Sequence, residues 1–186
     1  MARLERLRLD HSAALLAFER ENRGYFAATI PDRGDAYFAE FDTRLRELVA
    51  CQATGLELFH LVVDDAGAVL GRFNLVDVAH GSAELGYRVA ERATGRGLAT
   101  AAVREICALA ATAYGLRTLR ARTTADNAAS RTVLARTGFR VTGDIELRGR
   151  PGLRLERDLT AADAALPAAR AAVQAIGSAD GLIGDW

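Results

Sequence analysis

The pattern of apolar positions changes period along the chain, and each period predicts a type of element. Alternation with a period of two, or a short apolar run between turn residues, predicts seven strands. They cover Arg3–Leu9, Leu56–Asp64, Val69–Val78, Ser82–Ala90, Leu116–Thr123, Phe139–Leu147 and Leu153–Leu159. Spacings of three and four residues predict helices between them. We expect an α/β (α+β) fold with a mixed, mostly antiparallel sheet and helices on both faces.

Capping residues indicate where the helices begin, and glycines indicate where most of them end. The predicted helices follow the N-cap Asp10, span Asp35–Ala53, run from Gly97 to Gly115, and run from Asp126 or Asn127 to Gly138. Gly24 and Pro31 are expected to interrupt the chain between the first two of these helices. The predicted strand connections include turns at Asp64–Gly67, Ala79–Gly81 and Gly149–Gly152. After Thr160 the chain becomes alanine-rich. We expect one domain over residues 1–160 and a C-terminal helix and tail over residues 161–186.

Charge and composition exclude several classes of protein. The 24 basic residues, all of them arginine, balance 24 acidic residues, which argues against a generally cationic nucleic-acid binder. No apolar run approaches the roughly 20 residues of a membrane span, and the start lacks the apolar core of a signal peptide. The cytoplasm is the expected location. Cys51 and Cys107 match neither a zinc site nor a disulfide framework, and Cys107 is expected to be a buried thiol.

A glycine turn directly before the longest apolar helix carries the candidate chemistry. Gly95 and Gly97 let the backbone turn tightly and approach a ligand closely. The first helical turn leaves amide N–H groups without partners and carries the positive end of the helix dipole. Arg92 and Arg96 add positive charge. The segment predicts an anion cradle suited to a pyrophosphate, although a plain turn fits the glycines equally well.

The spacing of these residues resembles that of a known family. Motifs for a nucleotide P-loop or a dinucleotide fold fit less well, because the Gly-Lys-Ser/Thr ending and a third glycine are both missing. The run Arg92-x-x-Gly95-x-Gly97 matches the acyl-CoA signature of the GNAT superfamily of N-acetyltransferases, and the chain resembles that superfamily over roughly residues 3–159.

A second run of residues narrows the resemblance to one branch. Asn127–Ser130, followed by Gly138-Phe139, is most similar to the branch that includes ribosomal-protein N-terminal alanine and serine acetyltransferases. Glu21-Asn22-Arg23 and Glu84–Tyr87 also resemble that branch. The two signatures at this spacing, in a strand–helix–strand–helix context, make the resemblance specific.

The resemblance implies acetyl-CoA as co-substrate, no metal, and a particular geometry. The strands through Glu84–Val89 and Leu116–Thr123 should start side by side and then splay apart, with the pantetheine arm in the gap. The implied acyl-CoA-binding residues are Tyr87, Arg88, Val89, Arg92, Gly95, Arg96, Gly97, Leu98, Ala99, Thr100, Asn127 and Ser130.

The implied catalytic residues depart in part from the family pattern. Many relatives carry a tyrosine as general acid where this chain has Leu134. Ser130 is the nearest hydroxyl and takes that role in the similar branch, while a capping or cofactor-binding serine is the alternative. Glu84 and Glu146 are the candidate bases, with a solvated strand residue as the alternative for each. Relatives often place a carboxylate where this chain has Gly149.

These residues predict an N-acetyltransferase that moves an acetyl group from acetyl-CoA to a primary amine. The acceptor is open among a protein N-terminus, a polyamine, an amino acid and an amino-sugar drug, and the N-terminus leads on resemblance alone. Residues 10–53 are expected to form one wall of its site, and a homodimer is compatible with the chain. The alternatives are a non-catalytic acyl-CoA sensor or scaffold and a binder of another phosphorylated ligand.

Overall fold

A computed structural model describes residues 2–165 of the chain. One sheet of seven strands lies between helices in this range. The strands are β1 (Arg3–Arg6), β2 (Leu58–Val63), β3 (Val69–Ala79), β4 (Ser82–Val89), β5 (Thr118–Thr124), β6 (Arg140–Leu147) and β7 (Arg150–Asp158). The helices are α1 (Ser12–Glu21), α2 (Arg23–Ala27), α3 (Asp35–Ala39), α4 (Phe41–Thr54), α5 (Leu98–Thr112), α6 (Ala128–Arg136) and α7 (Ala161–Ala164).

The strand order is β1-β2-β3-β4-β5-β7-β6. Every neighbouring pair is antiparallel except β4 and β5, which are parallel. The parallel pair follows from the long crossover through α5, since a connection of that length is needed to bring two strands side by side in the same direction. The prediction of a mixed, mostly antiparallel sheet of seven strands is confirmed.

The sheet is covered on both faces, which divides the core in two. All six residues of β2 are buried, with Leu58 and Val62 in one cluster and Phe59 and Leu61 in the other. This explains why β2 is apolar at every position except His60 rather than alternating. Helix α5 lies in the first cluster, and α1 and α4 lie in the second.

Cys107 lies in the α5 core with no exposed surface, as the helical pattern predicted. Burial raises the pKa of its thiol to about 11, so the reactive thiolate is scarce at neutral pH. No helix in residues 2–165 is long and apolar enough to cross a membrane.

Three helix predictions near the N-terminus were wrong. Asp10 is not an N-cap: it lies in a single 3₁₀ turn, Leu9–His11, and its carboxylate accepts from Arg8 Nε at 3.1 Å. The predicted helix Asp35–Ala53 breaks at Glu40, where ψ of 13° ends α3 before α4 begins. Gly24 was expected to interrupt the chain but lies within α2, because one glycine weakens a short helix without preventing it.

The turn predicted at Gly149–Gly152 is shorter than the sequence suggested. Only Arg148 and Gly149 form the hairpin loop between β6 and β7, with φ of 54° and 76°. Two successive positive φ angles are typical of the tight turn that matches the twist of a hairpin. Gly152 belongs to β7, where a Cβ atom would approach Leu147 Cδ1 within 2.8 Å. A glycine is therefore needed at position 152 to make room for Leu147, not to form a turn.

The start of the predicted C-terminal extension is attached to the domain. Helix α7 contacts α5, and Asp163 is buried. The Asp163 carboxylate binds Arg157 and accepts from the Thr160 backbone N–H at 2.9 Å, which caps the helix. The rest of the predicted alanine-rich helix and tail, 166–186, lies outside the described residues.

The buried His60 predicts how stability depends on pH. It is 1% exposed, its Nε2 lies 2.7 Å from the Tyr114 hydroxyl, and burial lowers its pKa to about 3. Between pH 6.5 and 3 the unfolded chain therefore binds a proton that the folded chain does not. We expect His60 to contribute a loss of up to about 1.4 kcal/mol in the free energy of unfolding for each pH unit below 6.5.

Denaturant unfolding at several pH values between 7 and 4 measures this slope. His60→Gln keeps a polar group near Tyr114 but removes the titration, so its slope should be shallower than that of the wild type. The exposed His80 supplies the control, since His80→Asn tolerates the left-handed backbone there and should keep the wild-type slope. Equal slopes for His60→Gln and the wild type would contradict the prediction.

Candidate active site

The sheet opens between its two parallel strands. β4 and β5 pair only at Ser82–Glu84 against Thr118–Arg120. Beyond that point, among residues 2–165, β4 continues to Val89 bound only to β3, and β5 continues to Thr124 bound only to β7. Alternate backbone N–H and C=O groups of β4 therefore face a gap with no strand partner, and Gly86 beside it is exposed. Such an edge can bind an extended chain by main-chain hydrogen bonds, as an added strand would.

Two hydroxyl groups meet across one side of this gap. Tyr87 extends from β4, its ring stacked on Phe73 with centroids 5.5 Å apart. Its hydroxyl lies 3.2 Å from Ser130 Oγ and 3.4 Å from the Ser130 carbonyl oxygen. Burial raises the pKa of Tyr87, so the phenol stays protonated at neutral pH. The pair can pass a proton to an atom bound in the gap.

Ser130 is placed there by the way α6 begins. The Asn127 side chain accepts a hydrogen bond from the Ser130 backbone N–H at 3.0 Å, so Asn127 is the N-cap. The two residues of the second motif thus fix each other at the gap. Leu134, which stands where many relatives have a tyrosine, is 1% exposed and belongs to the core.

The predicted anion cradle lies at the end of β4. A 3₁₀ turn, Glu91–Ala93, leads into Gly95 and Gly97, which have φ of 72° and 77°. The Ala101 N–H makes the first helical bond of α5, to the Gly97 oxygen at 3.0 Å. The three amides before it, those of residues 98–100, therefore have no helical acceptor.

The side chains around the cradle suit a diphosphate. Both glycines have open space where a Cβ would stand, so a ligand could approach the backbone closely there. Arg92 is exposed, 4.0 Å from Asp64, and Arg96 is also exposed. Free amides, a helix N-terminus and two arginines are the groups that bind phosphate oxygens. The residues present thus fit the pyrophosphate of a coenzyme A derivative.

The two candidate bases are on opposite faces of the sheet. Glu84 lies at the last residue of β4 that pairs with β5, and its carboxylate binds Arg122 Nη2 at 2.7 Å and Nε at 2.8 Å. Glu146 is exposed on the edge strand β6, opposite Pro151. The register through β7 places Glu146 on the α6 face, whereas Glu84 faces the α1 side. The geometry brings Glu84, not Glu146, to the gap.

A buried charge cluster near the gap was missed by the sequence analysis. Glu19 of α1 is 2% exposed and lies 3.2 Å from Arg88 Nη2 and 3.5 Å from Arg72 Nη1. Burial raises the pKa of Glu19, and Arg33 and Arg72 oppose that shift. The available signal was a carboxylate one residue after Phe18 on the apolar side of a helix, since an acidic residue is rarely buried unless it is paired.

Asn22 was noted only as part of a resemblance, and the structure gives it a function in the fold. It is 6% exposed; its Nδ2 donates to the Phe18 carbonyl oxygen at 2.8 Å, and its Oδ1 accepts from the Glu91 N–H at 2.9 Å. The end of α1 is thereby fastened to the turn that leads into the cradle.

A sheet opened between parallel strands, with an amide cradle at the end of the gap, is the arrangement of an acyl-CoA-dependent transferase. A family model described as "Acetyltransferase (GNAT) domain" matches residues 2–140. The chain belongs to this family, and it is an acetyl-CoA-dependent N-acetyltransferase. A comparison with curated protein sequences gives no significant match.

Several solved structures share the fold of this chain. Ribosomal-protein-S5-alanine acetyltransferase of Vibrio fischeri superposes with a TM-score of 0.80 at 19% identity, covering 85% of this chain and 93% of that one. RimJ of Mycobacterium smegmatis, solved with CoA-disulfide, gives 0.77 at 26% identity, covering 94% and 88%. Spermidine N-acetyltransferase of Vibrio cholerae, solved with CoA and spermine, gives 0.71 at 17% identity, covering 85% and 95%.

The cradle geometry makes a prediction about affinity for acetyl-CoA. Gly97→Ala puts a side chain on a left-handed residue at a cost of about 1–2 kcal/mol, and relief of that strain moves the free amides. We expect the dissociation constant for acetyl-CoA to rise at least about tenfold, measured by calorimetry, because charge-assisted bonds to the phosphates weaken.

Gly55→Ala is the matched control for this variant. Gly55 has φ of 74° and caps the end of α4, at the opposite end of the sheet from the cradle. It should lower thermal stability by a similar amount but leave the affinity for acetyl-CoA unchanged. Equal affinities in Gly97→Ala and the wild type would show that the cradle does not bind the coenzyme.

Proposed function

We propose that this N-acetyltransferase acetylates the α-amine of a protein N-terminus in the cytoplasm. The observation that supports catalysis most directly is the gap itself, with the Tyr87–Ser130 hydroxyl pair on one face of β4 and the Glu84–Arg122 ion pair on the other. An acid and a base are thus available on opposite sides of one reacting bond. The non-catalytic alternative has no comparable support from the geometry.

The roles of these groups follow from the bonds that change. When bound, acetyl-CoA supplies an acetyl thioester. As the amine nitrogen bonds to the carbonyl carbon and the carbon–sulfur bond breaks, Glu84 takes a proton from the amine, directly or through one water. Ser130 gives a proton to the departing sulfur and regains one from solvent through Tyr87, which is in contact with it, while Glu84 releases the proton it took to solvent. An unpaired N–H of β4 polarises the carbonyl oxygen.

An α-amine suits this site better than a lysine side chain does. Its pKa is about 7.7–8.0, against about 10.4 for lysine, so a far larger fraction is neutral and nucleophilic at neutral pH. Glu84, half-buried and bound to Arg122, would then act on a proton that leaves more easily than that of a lysine ammonium. The similarity to ribosomal-protein acetyltransferases points to the same acceptor class.

The charges on the α1 side of the gap disfavour a polyamine. The pocket beside α1 and α2 is lined by three arginines and two acidic residues, namely Arg23, Arg33, Arg88, Glu19 and Asp32. A polycationic acceptor would need the opposite balance, because repulsion between like charges grows as water is excluded. Spermidine is the acceptor of one structural neighbour, and the charges of this pocket disfavour it as an acceptor of this chain.

A competition among acceptors tests the proposal. Purified protein with acetyl-CoA is offered peptides that begin with serine or alanine, an internal-lysine peptide with a blocked N-terminus, spermidine and an amino sugar. Mass spectrometry should find acetyl groups on the peptide α-amines, with turnover at least about tenfold above the other acceptors, in line with their neutral fractions. Stable binding of acetyl-CoA without consumption by any amine would support the non-catalytic sensor instead.

Ser130→Ala tests the proton donor. The variant keeps the backbone N–H that Asn127 caps, so α6 should stay intact. If Ser130 is the general acid, kcat should fall about 10²-fold while the KM for acetyl-CoA changes little. If Ser130 only binds the coenzyme, the KM should rise and kcat should hold, which would contradict the assigned role.

Two further variants bracket the Ser130 result. Tyr87→Phe keeps the ring stacked on Phe73 and removes one hydroxyl of the pair, so it should lower kcat less than Ser130→Ala does. Thr132→Ala removes a hydroxyl from the same helix, where Thr132 Oγ1 bonds only back to the Ala128 oxygen at 2.8 Å, and should leave kcat unchanged.

A further inference from the structure

One buried carboxylate contacts three guanidinium groups on the acceptor side of the sheet. Glu19 Oε1 lies 3.2 Å from Arg88 Nη2 and 3.5 Å from Arg72 Nη1, and Glu19 Oε2 lies 4.0 Å from Arg33 Nε. A carboxylate carries one negative charge, so it neutralises only one of the three arginines. The cluster retains a positive surplus in a region largely shielded from water, where an electrostatic interaction is strongest.

The three arginines differ in how far they reach solvent. The Arg72 side chain is 4% exposed and also bonds Asn74 Oδ1 at 3.2 Å, so it lies inside the protein. Arg88 and Arg33 are 12% and 35% exposed and line the pocket between α1, α2 and β4. The interior of this pocket has room for no more than about one water, so the surplus charge is presented at its opening.

Aromatic contacts fix the direction of both exposed arginines. The Arg88 guanidinium lies over the Phe26 ring at 5.3 Å, and the Arg33 guanidinium lies over the Tyr37 ring at 4.4 Å. Guanidinium groups held in this way lose little entropy when they bind a planar anion with two oxygens. The apolar part of the same pocket consists of Phe26, Ala27, Ile30, Pro31 and Phe38.

The other charged groups of the pocket largely cancel one another. Arg23 binds the Asp32 carboxylate at 2.6 Å and the Asp35 carboxylate at 2.7 Å. Asp35 is 93% exposed and is not among the residues that line the pocket. Arg23 is thereby satisfied, which leaves Arg33 and Arg88 as the cations with spare hydrogen-bonding capacity among the lining residues.

Arg88 also connects this pocket to the reacting centre. It follows Tyr87 on β4, so its backbone borders the gap while its side chain points to the α1 face. A group bound by the Arg88 side chain is thus held beside the same stretch of β4 that borders the gap. A single acceptor can therefore place its amine in the gap and a second group on the Arg88 side chain.

We propose that Arg33 and Arg88 recognise a carboxylate of the acceptor, close in the molecule to its reacting amine. This inference rests on the proposed N-acetyltransfer and concerns which acceptors the enzyme prefers. The carboxylate has two chemical sources: an acidic side chain in the first residues of a peptide, or the α-carboxylate of a free amino acid. Glu19 is a positioning residue that holds the two guanidiniums in place.

Two matched acceptor pairs test this specificity and separate the sources. A Ser-Glu peptide is compared with the Ser-Gln peptide of the same length, and free serine is compared with serinamide. We expect kcat/KM to favour the carboxylate member of at least one pair about tenfold or more, since a charge-assisted bidentate contact is lost in the other.

Variants of the two arginines show whether that preference arises in this pocket. Arg33→Gln and Arg88→Gln should each bring the ratio of kcat/KM within the pair close to one. Arg46→Gln, which removes an exposed arginine of α4, should keep the wild-type ratio. Arg33 is the more exposed of the two, so Arg33→Gln should disturb folding less. Circular dichroism and the affinity for acetyl-CoA check that both variants are folded. A ratio that is unchanged in Arg33→Gln and in folded Arg88→Gln would overturn the assignment.

The outcomes separate this inference from the proposed function. If the Ser-Glu and Ser-Gln peptides react equally and serine shows no advantage over serinamide, the carboxylate site is wrong while N-terminal acetylation holds. If serine is preferred and no peptide reacts, the carboxylate site holds and the N-terminal acceptor is wrong. If none of the four is acetylated, both are wrong.

Discussion

The three-residue parallel contact between β4 and β5 is the constraint on which the rest of the site depends. The two strands pair at Ser82–Glu84 of β4 and diverge beyond this contact. Main-chain groups of β4 are therefore left without a strand partner in the described part of the chain. The divergence is stable because each strand keeps a full antiparallel neighbour, β3 on one side and β7 on the other. A wedge is thus held open in a sheet that is otherwise continuous.

Alternation along β4 divides the chemistry between two faces. Leu85 and Tyr87 point toward α5 and α6, whereas Glu84 and Arg88 point toward α1. The proton donors are therefore separated from the carboxylate by the thickness of one strand. The residues proposed for charge recognition and for proton transfer share one strand of eight residues, and a one-residue slip in register would exchange the two faces.

The sequence indicated the sheet, the helix faces and the cradle, because each depends on local periodicity or on glycines such as Gly95 and Gly97. It misplaced the break at Glu40 and the Arg148–Gly149 turn, where tertiary packing outweighs local preference. It missed the Glu19 cluster because the partners are far apart in sequence and meet only once α1 packs on the sheet. Glu84 and Glu146 were indistinguishable until the strand order placed them on opposite faces.

The Asn22 carboxamide has a consequence for how the two substrates sense each other. Its two ends serve different neighbours, the last turn of α1 and the peptide group that opens the phosphate turn, so neither can shift without straining the other. If α1 borders the acceptor and the turn at Glu91 leads to the coenzyme, as proposed, Asn22 joins the two regions by hydrogen bonds. By thermodynamic reciprocity, any gain in acceptor affinity that acetyl-CoA imposes through this link is matched by an equal gain in acetyl-CoA affinity, whichever substrate binds first.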